Sequence, residues 1–529
     1  MITPHARTLF FLPLLLLAAS QSACHEEKPG AEANRAESQR RESALPLLDS
    51  SRYANLGENE LVYALAPVWQ GDTLQFAVEM MFAGDSSGST TLVLPNRYGG
   101  QWHLDGIQNL QTLSPATAWR DTDQSHRKQL VHPPRQTVHV KYRVAQTRHG
   151  KIRLGNHYQT VLREKHFHFL GETFFALPDW DYYKSVRVKL HWHDLPADWT
   201  LANSFGIGQT SQEIELTLWK FWHSIFAGGD FRIYERQIEE QPIYVAIRGE
   251  YDFTDDEFNE MVLKIIKAER DFWSDYVFPY YLVTATPISG NGDQAGTGRT
   301  NAFAMFLSGD RELDYRLKRL LAHEAFHTWN GGKIGRKEPE VLVYWFSEGF
   351  SDYYGRLLLL RAGLLTPEDY VREYNKVLKR YYSSPARHAR NERLLDEFWG
   401  NDINQLPYWR GDIVAHNLSA AIRAATVDSA SLDDAMKKVL AAAVERGVVI
   451  SDSSLRAVFR SYLDDDRVAK IMKAIDGDEF LQADPLALSP CATLKLSKRR
   501  KYFLFGEQLE IPQYQLISET NANCFDNSR

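Results

Sequence analysis

Cysteine is almost absent: the 529 residues contain three, Cys24, Cys491 and Cys524. So few exclude a small scaffold stapled by disulfides, and a chain long enough for two to four domains folds on apolar burial alone. Beyond the N-terminus no segment approaches the ~20 consecutive apolar residues that a membrane-spanning helix needs. Positive charge is not in excess either, the formal net charge being -7 at pH 7, so no nucleic-acid partner is expected. The glycine-rich stretch "SGNGDQAGTG" fits neither glycine fingerprint and no Gly-Lys-Ser/Thr is present, which argues against a phosphate cradle. No internal repeat is evident.

What is there begins with "MITPHARTLFFLPLLLLAASQSAC": Arg7, an apolar run from Leu9 to Ala19, then small residues up to Cys24. The run is too short to span a bilayer and has the order of an export signal. Ser22-Ala23-Cys24 resembles the end of a bacterial lipoprotein signal, with Gln21 where leucine is usual. The expectation is a signal over 1–23, a lipid on Cys24 and a polar tether over 24–50, on an exported protein of the bacterial cell envelope. Simple cleavage after Ala23, releasing a soluble periplasmic protein, is the alternative. In an oxidising compartment Cys491 and Cys524 are expected to pair, closing a loop of roughly thirty residues worth about 3 kcal/mol.

From 51 to 249 the apolar residues alternate, as in Leu74, Phe76, Val78, Met80 and Phe82, or Val138, Val140, Tyr142 and Val144. Period two predicts an antiparallel β domain. His166 with His168, and His191 with His193, share a strand face, so either a metal site or a sheet face that merely carries histidines fits the spacing. Near Glu250 the period becomes helical, with Phe258, Met261, Ile265 and Ala268 behind an acidic first turn. The stretch "PYYLVTATPISGNGDQAGTGRTNAFAMFLSG" reads as strand, glycine-rich loop, strand, and helices follow from Asp314 to about Ile475. Thr366-Pro367-Glu368-Asp369 marks one helix start. The second domain spans 250–480, and 481–529 return to short strand-like runs.

"LLAHEAFHTWNGG" carries the chemistry. Leu313, Leu317, Leu320 and Leu321 form an apolar stripe leading to His323, predicting a helix that ends near Gly331-Gly332. One turn separates His323 from His327, so both imidazoles can bind one zinc ion. Glu324, rotated about 100° from His323, can take a proton from water beside that ion. The pentapeptide arises by chance in about a few per cent of such chains, so a third ligand is needed. Glu348, 21 positions after His327, supplies one on a second helix, and Asp352 one turn later can orient a ligand imidazole.

His323-Glu324-Ala325-Phe326-His327 with Trp329-Asn330, then Trp345-x-x-Glu348-Gly349-Phe350, Tyr353-Tyr354 and Arg361-Ala362-Gly363-Leu364, resembles the glycyl aminopeptidase family of gluzincin metallopeptidases. More distantly it resembles the aminopeptidase N family. The resemblance is strong from about Leu320 to Leu365 and resumes at "PYWRGDIVAHNL". It implies an α+β multidomain protein: an N-terminal antiparallel β domain, then a thermolysin-like gluzincin catalytic domain to about 395 with helices after it, and a short β-like C-terminal tail. The active site is expected in a cleft between the first two domains. One zinc ion, a peptide substrate and an aminopeptidase-like activity are implied as well.

Tyr408-Trp409-Arg410-Gly411 resembles the family's Tyr-x-Lys-Gly segment, with arginine in place of lysine, and the resemblance implies Tyr408 as the donor to the oxyanion. The family's glutamate that holds a substrate amine is replaced by Gly298 in the best register, and Arg299 follows. The expectation is a preference for acidic or blocked peptides, with Asp293 able to rescue amine binding. The interval between His327 and Glu348 is shorter than expected for glycyl aminopeptidases, and the chain ends too soon for the PDZ domain that usually follows. Two other functions compete with the peptidase: a noncatalytic envelope binding protein on the same fold, and a hydrolase of a non-peptide bond.

Overall fold

The computed structural model describes residues 47–278, 280–400, 403–500, 508–517 and 522–525. The signal, most of the tether and the lipidation candidate Cys24 lie outside the described residues. Among the described residues no helix is long and apolar enough to cross a membrane.

Alternating apolar residues do build the first sheet. Its six strands run in the order Ser211–Thr217, Ser185–Trp192, Glu60–Gln70, Thr73–Ala83, Thr137–Ala145, Ile107–Thr112. Phe76, Val78 and Met80 pair across to Val144, Tyr142 and Val140, so one face of the pleat is continuously apolar. All neighbours are antiparallel except Glu60–Gln70 with Ser185–Trp192, which run parallel because a long crossover joins them.

A second sheet packs on that face, built from Val161–Arg163, His166–Leu170, Ile225–Gly229, Thr200–Asn203 and Gly206–Ile207. Its strand His166–Leu170 has two faces. Phe167 and Phe169 enter an aromatic core with Phe76, Phe174 and Phe226. His168 and Leu170 face the other way, toward the second half of the chain, where His168 Nε2 meets Thr284 Oγ1 at 3.2 Å. Among the described residues neither histidine pair joins a cluster of three metal-competent groups. His191 likewise bonds Tyr53 and Ser211, each at 3.1 Å.

The third main sheet corrects two expectations. Its order is Arg232–Ile238, Gln241–Ile247, Tyr281–Ile288, Ala302–Ser308, Gln294–Arg299. Two strands before residue 249 thus belong with the strands after it, so the third sheet begins at Arg232. Period two is the same in either sheet and cannot tell which sheet a strand joins. The glycine-rich segment, expected as a loop, holds the edge strand Gln294–Arg299, antiparallel to Ala302–Ser308. Its glycines reflect close packing, since a Cβ on Gly296 would meet the Phe303 ring at 2.3 Å.

Helix Asp255–Trp273 starts at a Thr254–Glu257 capping box and links the parallel strands. Helices Tyr315–Phe326 and Tyr344–Arg361 follow, and Leu406–Thr426 crosses the second of these at Gly349 and Gly411. Thr366 caps Pro367–Ser383 as its sequence predicts. Strands Ala492–Arg500 and Gln508–Leu516 form a hairpin, and a disulfide joins Cys491 to Cys524.

Between the halves runs one apolar layer. Leu170, Ala202, Ile225 and Ala227 of the second sheet share it with Ala246, Leu282, Ala302, Ala304 and Phe306 of the third.

Candidate metal centre and active site

Asp314 caps helix Tyr315–Phe326 by accepting from Leu317 N, and Leu317, Leu321 and Ala325 bury one side. The helix ends at Phe326, earlier than its pattern suggests, with His327 as C-cap in helical conformation. There the bonding tightens to Thr328 N→Ala325 O at 3.0 Å and Trp329 N→Phe326 O at 3.1 Å. Gly331, at φ 125°, completes the stop. Helix Tyr344–Arg361 is buried on every side, a central helix. It turns Glu348 and Asp352 toward the two histidines.

Three donor atoms converge. His323 Nε2 and His327 Nε2 are 3.1 Å apart, and each lies 3.3 Å from Glu348 Oε2. Among the described residues these three form the metal-competent cluster, with ligand atoms within 4.8 Å of one another. The other ring nitrogens are engaged: His323 Nδ1 donates to Asp352 Oδ1 at 2.7 Å and His327 Nδ1 to Asn330 O at 2.9 Å. The Nδ1 bonds thereby aim both Nε2 atoms at one point, where a metal would displace the protons the site otherwise attracts. Arg319 Nη2 in turn holds both Asp352 oxygens at 2.6 Å.

The charges ask for a cation. Burial would lower the His323 pKa, but Asp352 and Glu348 outweigh it and hold it up at about 10. His327 is raised by Glu348 against the same burial penalty. Burial opposes ionisation of Glu348 and Asp352, yet the imidazoles and Arg319 keep both carboxyls below their usual range. Two imidazoles and one carboxylate, with both Nε2 atoms aimed at one point, fit a zinc ion.

Glu324 leaves this cluster and points to the edge strand, where its Oε2 accepts from Gly298 N at 3.3 Å. A Cβ on Gly298 would lie 3.7 Å from that oxygen, so the glycine faces the candidate base. Tyr408, near the start of helix Leu406–Thr426, stacks on the His323 ring at 6.0 Å. Burial first, then Glu348 and Asp352, push its hydroxyl pKa up, so the hydroxyl stays protonated.

Two expected substrate contacts are not where the sequence put them. The Arg299 side chain is fully buried and pairs with Glu172 at 2.6 Å. It also donates to the Tyr98 hydroxyl and lies over that ring at 4.8 Å. A guanidinium so committed is not offered to a substrate carboxylate. Asp293 sits beyond the far end of the strand, five residues and roughly 16 Å from Gly298, bonded through its backbone to Ser308. Glu172, Tyr98 and Tyr158, whose hydroxyl donates to Gly296 O at 3.1 Å, come from the first half of the chain and were missed. Nothing local in "FLGETFF" signals that Glu172 meets a strand more than a hundred residues away.

Residues 316–394 match the M61 glycyl aminopeptidase family. No curated protein matches the sequence. An aminopeptidase N family protein from Idiomarina loihiensis has a similar structure, with TM-score 0.69 and 16% identity over 83% of this chain and 79% of that one. An M1 zinc metallopeptidase from Deinococcus radiodurans, bound to a Tyr-Ser-Ala substrate, aligns over 82% of this chain and 96% of its own, at 17% identity and TM-score 0.49. Segment 316–394 is thus similar to the M61 glycyl aminopeptidases, in a chain whose fold is similar to that of an aminopeptidase N family protein, and together with the His323, His327 and Glu348 cluster this supports a zinc hydrolase.

Proposed function

We propose that the protein hydrolyses peptide bonds as an aminopeptidase-like zinc enzyme with altered recognition of the substrate N-terminus. The observation that carries this reading is Glu324, one residue from a metal ligand and hydrogen-bonded to the open edge of a sheet. Among the described residues strand Gln294–Arg299 pairs with one strand only, so a peptide that displaces Glu324 from Gly298 N and Tyr158 from Gly296 O can add alongside it by backbone hydrogen bonds. Its scissile bond is then delivered between Glu324 and Tyr408.

His323, His327 and Glu348 would hold a zinc ion, which would supply Lewis acidity toward the carbonyl and the attacking water. Glu324 takes the proton of the attacking water and passes it to the leaving amine. The Tyr408 hydroxyl donates to the oxygen that becomes negative. Asp352 and the Asn330 carbonyl keep the imidazoles oriented throughout.

Altered recognition follows from the strand. Gly298 offers no acid, and the Glu172 carboxylate that reaches the same wall is neutralised by Arg299. A free ammonium gains no unpaired partner there, so blocked peptides should be accepted; the acidic preference falls away with Arg299 buried. Rates on one peptide, free and N-acetylated, test this: comparable rates support it, and a strict need for the free amine rejects it.

Mass spectrometry of a peptide library incubated with zinc-loaded protein tests the activity, with Glu324→Gln in parallel. Products from wild type alone establish a peptidase, and cleavage at the first bond or deeper separates exo- from endopeptidase action. Zinc-bound, folded protein that yields no product would favour the binding-protein or non-peptide hydrolase alternatives.

Export and lipid attachment at Cys24 are proposed with it, on the order of Arg7, the apolar run and Ser22-Ala23-Cys24. Labelled palmitate should enter wild type and not Cys24→Ala.

A further inference from the structure

The loop between the zinc helix and the helix of Glu348 carries a cation that the mechanism above does not use. Glu348 presents two chemically equivalent oxygens on a torsion that is broad and two-fold. Oε2 faces both imidazoles. Oε1 is turned away, toward Ser347 Oγ at 3.4 Å and the Arg336 guanidinium, whose Nη1 lies 3.9 Å off. Ser347 is neutral and adjacent in sequence; Arg336 brings a full charge from twelve residues away.

Arg336 is itself fixed. Its Nη2 pairs with Glu340 Oε2 at 3.2 Å, and the guanidinium carbon lies 5.7 Å from the centre of the Tyr344 ring. Gly331, at φ 125°, leaves room for it, since a Cβ there would sit 3.3 Å from Nη1. The backbone on both sides is bonded to Ile450, through Ile450 N→Gly335 O at 2.8 Å and Lys337 N→Ile450 O at 3.0 Å. Helix packing alone does not distinguish the two oxygens of Glu348. A cation held on one side does.

We propose that Arg336 is a positioning residue for Glu348: it holds the outer oxygen so that the inner one stays turned to His323 and His327. This rests on the reading of those three residues as a zinc site. Its effect is therefore on how tightly the site holds metal, before any substrate is present. Arginine suits the place because one planar group reaches Glu340 and Glu348 together.

The test is zinc affinity by competition with a chromogenic chelator, for wild type, Arg336→Met and Arg336→Lys. Arg336→Met should bind zinc about 10- to 100-fold more weakly, and Arg336→Lys should recover most of the loss. A folded Arg336→Met protein with wild-type affinity overturns the proposal. Should that variant fail to fold, Arg336→Gln takes its place, with the same loss expected and the same result overturning it. Wild type that binds no zinc would instead remove the metal reading itself, so the two failures are separable.

Discussion

Gly349 and Gly411 cross with no side chain between them. A Cβ on Gly411 would lie 1.7 Å from the Trp345 carbonyl oxygen, and one on Gly349 would lie 2.4 Å from the Gly411 Cα. Gly349 follows the ligand Glu348 and Gly411 stands three residues after Tyr408. The closeness of the two helices is therefore what brings the tyrosine to the metal ligands.

Gly411→Ala is expected to force the helices apart, at a cost of about 3 kcal/mol or more. Thermal melting should show the loss. Protein recovered at low temperature should retain zinc but turn over slowly, because Tyr408 moves away with its helix. Unchanged melting and turnover would disprove the tight crossing.

Tyr408→Phe keeps the ring stacked on His323 and removes the donor. Turnover should fall about 100-fold, the loss typical of one oxyanion donor, with zinc stoichiometry unaltered. Full activity in this variant would assign the oxyanion to another group.

Asp352→Asn leaves His323 without its anionic partner and Arg319 without its counter-charge. Zinc affinity should drop about 10- to 100-fold, which equilibrium dialysis against a competing chelator measures. An affinity equal to wild type would make the aspartate merely structural.

Two histidines predict acid sensitivity away from the active site. Burial depresses the pKa of His166 to about 3 and of His168 to about 4, against about 6.5 in an unfolded chain. Below pH 6.5 the unfolded state binds these protons and the folded state does not. Each histidine then removes about 1.4 kcal/mol of stability per pH unit, until its own folded pKa is reached. Urea unfolding at pH 7.5 and 5.0 should show the decline, and His168→Gln should lessen it. An equal decline in that variant would clear His168.

Local signals carried the metal site. The spacing of His323 and His327, the neighbouring Glu324 and the four-residue step from Glu348 to Asp352 are all helix geometry within one or two turns, legible without tertiary knowledge. The capping threonine Thr366 was legible for the same reason. What failed depended on contacts between distant segments. Arg299 looked free because its partner Glu172 lies far back in the chain, and the glycine-rich segment looked like a loop although its Gly296 is a strand residue packed against Phe303. Asp293 and Arg299 flank the same strand, yet the pleat and its length put them at opposite ends. The hairpin before residue 249 alternates like every other strand, and only its hydrogen bonds to Tyr281–Ile288 show which half owns it.

The apolar layer between the second and third sheets acts as a weld where many two-part enzymes have a hinge. Sliding the sheets would expose Leu170, Ile225 and Phe306 to water at about 25 cal/mol for each Å² uncovered, and the small residues Ala202, Ala227, Ala302 and Ala304 let the sheets approach closely. Glu172 and Arg299, one from each half, are paired beside this layer. On the proposed reading a peptide would meet a wall built by both halves, with Glu172 and Arg299 paired across it, so selectivity is expected to lie in those side chains.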